Sequence, residues 1–237
     1  MPYTRLLRPL LFRLDSETVH ERTLDLAEAC SRNPVARSVL GSLLGSRHPS
    51  LSRERLGLTF PGPVGLAAGF DKNARLVEFA SAMGFGFLEV GSVSARPWPG
   101  NDRPRIFRLP DDAALINRVG LPSEGAERVA ARLARARRRI PVAVNVVKTA
   151  DPAILGDRAI DDFRTSYGLL APHADLVVLN VSCPNTHDGR SFEDEGPLGE
   201  LLSAIREAGA ALDRRPPLAV KFSADHERAA FVRILER

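Results

Sequence analysis

The chain has 237 residues, 44% of them hydrophobic and 26% charged, with a formal net charge of +4. That is an ordinary soluble globular composition, long enough to bury a sizeable core in one large domain or two small ones. No run of eighteen apolar residues occurs, so no membrane-spanning helix is expected. Cys30 and Cys183, the only cysteines, lie too far apart to suggest a disulfide scaffold and point to a reducing compartment.

The apolar N-terminal residues Leu6, Leu7, Leu10, Leu11 and Phe12 are interrupted by Arg5, Pro9 and Arg13, and no small-residue cleavage site follows, so no signal peptide is read. Residues 1 to about 47 read as helical. Ser16 is placed to cap a helix through Val19, Leu24, Leu26 and Ala29. Asn33-Pro34 starts a second helix carrying Val35, Val39, Leu40, Leu43 and Leu44, which Gly45 can end. Two short helices with apolar faces and arginines alongside either lie on a membrane surface or simply cover the domain. Residues 46–55 read as a polar link.

From residue 56 strands alternate with helices. Strands are expected at 56–60, 64–68, 87–93, 141–147, 175–181 and 218–222. Helices are expected at 73–83, from a Ser123 cap to about 138, at 159–170 and at 198–212, with a last one capped by Asp225. The Pro-rich stretch from Arg96 to Arg118 reads as a long loop with a hairpin around Ile106–Leu109. Such alternation implies a parallel sheet with right-handed crossovers, here of five strand–helix units after the first short strand. A closed eight-unit barrel takes about 250 residues, more than remain, so the pattern predicts either an open sheet or a barrel without its last three units.

Polar residues and glycines recur at the strand ends: Ala68-Gly69 with Lys72, Gly91-Ser92, Asn145 with Lys148, Asn180 with Cys183 and Asn185, and Lys221. In a parallel barrel these ends share one face, where chemistry is placed. Amides and an ammonium suit a planar heterocycle with an anionic carbonyl or carboxylate, and glycine admits close approach of a ring. Cys183 ends a buried strand and is stopped by Pro184; it reads as a nucleophile, base or metal ligand, or as a buried Cys in a turn. His187 lies near it in the same short loop. Neither Gly-x-Gly-x-x-Gly, nor a Walker loop, nor zinc-type His/Cys spacing occurs. A pI near 9.6 suggests nucleic acid or an anionic membrane surface, or only an arginine bias: Lys72, Lys148 and Lys221 are the sole lysines. Each falls at or just after an expected strand, where a compact, titratable cation has uses that arginine lacks.

Val64 to Lys72, Gly91-Ser-Val93, Arg96-Pro-x-Pro-Gly-Asn-x-Arg-Pro-Arg-Ile-Phe-Arg-Leu109, Ile116-Asn-Arg118 and Asn180 to Thr186, in that order, resemble the dihydroorotate dehydrogenases. The N-terminal run Leu11-Phe-Arg-Leu-Asp-Ser-Glu-Thr-Val-His20 is similar to their quinone-dependent, membrane-associated class. The resemblance covers essentially the whole chain and implies an α/β fold of the (β/α)8 TIM-barrel type, incomplete here with about five units. It implies a membrane- and quinone-associated extension at 1–47 and an FMN-binding barrel portion at 48–237.

The same resemblance implies oxidation of dihydroorotate to orotate in pyrimidine (UMP) biosynthesis. Cys183 would remove the C5 proton, hydride would pass from C6 to FMN, and a quinone would take the electrons. Lys72, Asn117, Arg118, Gly120, Asn180 and Asn185 would bind the substrate. Ala68, Gly69, Lys72, Ser92, Asn145, Asn180 and Lys221 would hold FMN, and His20 and Arg108 would line the quinone tunnel. No metal and no nucleic-acid partner is expected; the location is cytoplasmic, peripheral on the inner face of the membrane, with an oligomer if the chain is complete.

Four features depart from the family pattern. Cys183 stands where the membrane class usually has Ser; Gly120-Leu121-Pro122 replaces Gly-Phe-Asn; Val147 replaces a glycine; and the last units of the barrel do not follow. The alternatives are a truncated, non-catalytic relative and an RNA-directed flavin enzyme like the dihydrouridine synthases.

Overall fold

The computed structural model describes residues 3–45, 48–182, 192–224 and 232. A helical turn at Tyr3–Leu7 leads into α1 (Arg8–Leu11), then α2 (Ser16–Arg32) and α3 (Pro34–Leu44). The cap of α2 is Asp15, not Ser16: its carboxylate accepts the Thr18 N–H at 2.8 Å, and that bond draws its pKa down. Asn33 caps α3 as expected, accepting from the N–H groups of Val35 and Ala36 with Pro34 at the first helical position. Leu24 and Ala27 of α2 are buried against Leu76 and Phe79. Val35, Val39 and Leu43, spaced four apart on α3, face solvent.

The link expected at 46–55 contains a strand. β1 (Arg53–Arg55) pairs antiparallel with β2 (Leu58–Phe60) around Leu56-Gly57, both at positive φ, the geometry a two-residue hairpin prefers. Three exposed residues, Arg-Glu-Arg, carry no alternating pattern; only the backbone ladder makes them a strand. The Phe60 ring stands edge-on to Phe87, with centroids 5.7 Å apart.

The body of the chain follows as β3 (Gly65–Leu66), α4 (Val77–Ala82), β4 (Phe87–Val93), the hairpin β5 (Ile106–Leu109) and β6 (Ala114–Asn117), α5 (Ala126–Arg135), β7 (Val142–Val146), α6 (Asp157–Leu170), β8 (Leu176–Asn180), α7 (Glu195–Ala210) and β9 (Leu218–Lys221). Strands β3, β4, β7, β8 and β9 form one parallel sheet in that order. Its outward residues Leu88, Val90, Val93, Val142, Val144, Val146, Val177 and Leu179 are buried under the four helices α4 to α7. Those helices contribute Val77, Ala80, Val129, Leu133, Phe163, Leu170, Leu201 and Ile205 at helical spacing. Side chains alternate along a strand, so the other face of the sheet receives Phe87, Glu89, Ala143, Asn145, Val178 and Asn180.

One irregularity lies within the sheet. Val90 is in register with Val144 and Val93 with Val146, so Gly91 and Ser92 stand opposite Asn145 alone. Gly91 has φ +122, and a Cβ there would fall 2.5 Å from the Asn145 carbonyl oxygen, so the bulge requires glycine.

Helices α6 and α7 begin two and three residues before the expected starts at 159 and 198, and two other starts move later for a tertiary reason. α4 begins at Val77 because the buried Asp71 carboxylate takes the N–H groups of Asn73, Arg75 and Leu76 and holds 71–76 as a turn. α5 begins after Gly125, and Ser123 is no cap. Its hydroxyl accepts from the N–H groups of Ser94 and Gly125, tying the helix start to the end of β4. The expected Asp225 cap lies outside the described residues.

Arginine–carboxylate pairs fasten the N-terminal helices to the barrel. Arg75 meets Asp25 and Glu28 of α2, each at 2.7 Å, and Arg37 of α3 meets Glu78 of α4. Arg105, only 6% exposed, grips Glu17 of α2 with two nitrogens at 2.8–3.1 Å and donates from its third to the carbonyls of Pro99 and Asn101, both at 2.8 Å. Removing one partner of a buried pair leaves the other charge unmet and costs about 3 kcal/mol or more. Arg105→Ala is therefore expected to lower unfolding stability by about 3 kcal/mol in a urea titration; a loss under about 1 kcal/mol, the surface-pair range, would contradict this account.

Candidate active site

The inner face carries a chain of hydrogen bonds across its strands. The Ala68 N–H, just past β3, donates to Glu89 Oε2 of β4 at 3.3 Å. Asn145 Nδ2 of β7 donates to Glu89 Oε1 at 2.7 Å, and its Oδ1 accepts from Ser92 Oγ at 2.5 Å. Asn180 Nδ2 of β8 donates to Ser92 Oγ at 3.1 Å, and its Oδ1 accepts from Ser182 Oγ at 2.8 Å. Asn145 and Asn180 are both buried. Lys221, in register with Asn180, ends β9, and its ammonium has no partner among the described residues. On the same face, a cleft of about 390 Å³ is lined by Phe60, Phe87, Ala143, Leu176, Val178 and Lys221.

The loop after β3 is bound to the bulge: the Gly69 N–H donates to Gly91 O at 2.7 Å and the Gly91 N–H to Asp71 O at 3.0 Å. Lys72 Nζ donates to Gly69 O at 2.7 Å. Burial lowers its pKa, while the negative charges of Glu21 and Glu17 oppose that fall. Burial raises the Asp71 carboxyl in spite of its three N–H donors. His20 of α2 sets its ring edge-on against Phe70 at 4.8 Å, and burial and then the Lys72 charge hold its pKa below the usual value. His20, Phe70, Lys72 and Asn73 line a small cavity of about 130 Å³.

Among the residues expected in the site, Ala68, Gly69, Ser92, Asn145, Asn180 and Lys221 converge on this end of the sheet, and Lys72 joins them through Gly69. Asn117 ends β6, opposite Ile106, and Arg118 and Gly120 follow it; among the described residues no hydrogen bond joins them to the ladder. The Arg118 guanidinium donates to Pro104 O at 3.2 Å. Gly120 has φ +75, and a Cβ would lie 2.6 Å from the Asn101 side chain. Arg108 donates to Leu14 O at 2.9 Å and stands 4.7 Å from the Phe12 ring centroid. Cys183, Asn185 and His187 lie outside the described residues. Lys148 departs from the strand-end pattern: it is buried and donates to Ile154 O at 3.0 Å, while the neighbouring Thr149 is held by Asp162. Glu89 escaped sequence reasoning. Its one signal is a lone carboxylate in an otherwise apolar strand.

The family model for dihydroorotate dehydrogenase matches residues 50–236. The chain belongs to the dihydroorotate dehydrogenase family. The dihydroorotate dehydrogenase (quinone) of Chloroflexus aurantiacus is 43% identical over 97% of this chain, and that of Methylococcus capsulatus 42% identical over 95%. Each match takes in 65% of the relative, so the chain spans under two thirds of their length. The crystal structure of dihydroorotate dehydrogenase from Eimeria tenella in complex with ferulenol superposes with a TM-score of 0.78 at 33% identity, covering 94% of this chain and 63% of that one. The five-stranded sheet is thus part of a dihydroorotate dehydrogenase barrel. The RNA-directed flavin enzymes are set aside as its family.

The His20 shift has a consequence for pH. The fold favours the neutral ring, so as pH falls below about 6.5 the unfolded chain takes the proton first. The stability that His20 contributes is present above that pH and is lost as pH falls toward its folded value. His20→Phe keeps an aromatic ring and removes the titration. It is expected to flatten the dependence of Tm on pH between about 7.5 and 5; parallel curves for the two proteins would contradict the assignment.

Proposed function

We propose that this protein oxidises dihydroorotate to orotate in pyrimidine biosynthesis, using FMN and passing electrons to a quinone. The observation that carries this reading is the ladder of Ser92, Asn145 and Asn180 beside the Lys221 ammonium, which has no partner among the described residues. The residues fit a flavin. Each amide spends one N–H and one lone pair within the ladder and keeps its second N–H and second lone pair for the edge of a planar ring. Lys221 supplies a cation for a ring that becomes anionic on reduction. Gly69, at φ +105 with open space where a Cβ would stand, leaves room for close approach. FMN, when bound, supplies the acceptor for hydride. Ala68, Gly69, Lys72, Ser92, Asn145, Asn180 and Lys221 would hold it.

Cys183 follows Asn180 by three residues and is the base in this reading. A C5 proton beside a carbonyl is acidic enough for a positioned base, and a thiol with an ordinary pKa of about 8.5 ionises more readily than an alcohol. Lys72, Asn117, Arg118, Gly120, Asn180 and Asn185 would orient the ring and carboxylate of the substrate. His20 on α2 and Arg108, which donates to Leu14 O of the N-terminal segment, would guide the quinone. Leu6, Leu7, Leu10, Val35, Val39 and Leu43 are exposed on the N-terminal helices, which supports peripheral contact with the cytoplasmic face of a membrane; among the described residues no helix is long and apolar enough to cross one.

The visible spectrum of the purified chain, reconstituted with FMN and mixed anaerobically with dihydroorotate, tests the reading. Flavin bands that bleach are expected. Cys183→Ala should keep the bands and slow bleaching by at least about 10²-fold. Unchanged bleaching would overturn the base assignment, and failure to take up FMN would overturn the cofactor reading for this chain.

A further inference from the structure

The ladder begins at a carboxylate, and an ionised carboxylate only accepts hydrogen bonds. Glu89 lies 2.7 Å from Asn145 Nδ2 and 3.3 Å from the Ala68 N–H. Asn145 must therefore turn its NH2 toward Glu89 and its oxygen toward Ser92. The single Ser92 proton goes to that oxygen, which leaves Ser92 as acceptor for the Asn180 NH2. Asn180 is left with its oxygen facing the Ser182 hydroxyl. Every later step follows from the first. Ser and Asn each donate and accept, so without a carboxylate the same side chains can run in reverse.

The setting of Glu89 supports a special use. No arginine or lysine pairs with it among the described residues. It shares its cleft with Phe87, Ala143, Val178 and Lys221. Its two oxygens are committed to the end of β3 and to β7, and so couple three strands.

We propose that Glu89 is a positioning residue that sets the direction of the ladder, fixing which edge of Asn145 and of Asn180 donates and which accepts. It need not touch a ligand. That a flavin reads those edges rests on the function proposed above; that Glu89 orients them does not.

Glu89→Gln tests this with little change of shape. The glutamine oxygen is required by the Ala68 N–H, so its NH2 faces Asn145, and the ladder must invert through Asn145, Ser92 and Asn180. Nitrogen–proton correlation spectra of the flavin-free chain are expected to show the side-chain amide signals of Asn145 and Asn180 moving together, while those of Asn33 and Asn101 stay in place. A change confined to Asn145, or none, would overturn the proposal. Ser92→Ala interrupts the ladder and tests it even if Glu89→Gln fails to fold. Asn145 loses its Ser92 partner but, still held by Glu89, should keep its NH2 turned toward Glu89, read as retained nuclear Overhauser contacts between that NH2 and the Glu89 side chain; loss of those contacts would refute directional control by Glu89. With FMN added, Glu89→Gln should bind it about tenfold or more weakly, the loss of one to two hydrogen bonds, and Glu89→Asp should recover part of that. If the spectra show inversion while the wild-type chain takes up no FMN, the flavin reading fails and the orienting role of Glu89 stands.

Discussion

The candidate site depends on one extra residue in β4. In a regular strand, side chains alternate, and the residue level with Val146 would face the helices with it. Because Gly91 and Ser92 together stand opposite Asn145, Val90 and Val93 both reach the helix-side core while Glu89 and Ser92 both turn inward. A bulge here resolves a conflict between two demands on one strand: an apolar outer face without interruption, and two polar groups inside within reach of β7. The demand falls on the glycine. At φ +122, with the Asn145 carbonyl where a Cβ would be, no other residue fits without displacing β7. The same glycine also accepts the Gly69 N–H and donates to Asp71, so the loop carrying Lys72 takes its position from the bulge.

The arginine-rich composition has a structural use that charge counting conceals. A basic pI suggested a polyanionic partner, yet Arg37, Arg75, Arg103 and Arg105 meet carboxylates of or beside the N-terminal helices. Arg105 shows why lysine would not serve: it binds one carboxylate with two nitrogens and two carbonyls with a third, which takes a planar fork of five donors. The three lysines divide by contrast. Lys72 and Lys221 stand at the inner end of the sheet, where a compact cation can face a ligand, while Lys148 closes its own loop on Ile154.

Much of this was legible in the sequence because parallel strands buried on both faces read as apolar runs, and polar residues at their ends stand out. Asn145, Asn180 and Ser92 were visible in that way. Glu89 was not, because it lies in mid-strand, where alternation gives no warning that the inner face is polar. β1 was missed because its charged residues gain their strand form from pairing with β2 alone. Ser123 and Asn73 looked like helix starts, but both serve tertiary contacts: Ser123 binds the end of β4, and Asn73 accepts the Glu124 N–H at 3.0 Å. Local capping rules cannot anticipate a partner fifty residues away. The parallel strand–helix alternation carried what local capping rules could not, the joint placement of the loop after β3 and the ends of β7 and β8 on one face.

The junction between α2 and the barrel brings the N-terminal extension into the chemistry of the site. His20, Lys72 and Asp71 all meet there, and burial moves each toward its neutral form: the cations downward, the acid upward. Through Glu21 and Glu17, α2 also supplies negative charge that opposes the fall at Lys72. Glu17 is in addition the carboxylate that Arg105 grips. One helix therefore supplies the charge that opposes burial at the ammonium beside Gly69 and, through Glu17, holds Arg105 ahead of the hairpin that leads to Asn117. An extension that only covered the barrel would need an apolar face; one that sets the charge at Lys72 needs carboxylates at the positions where Glu17 and Glu21 stand.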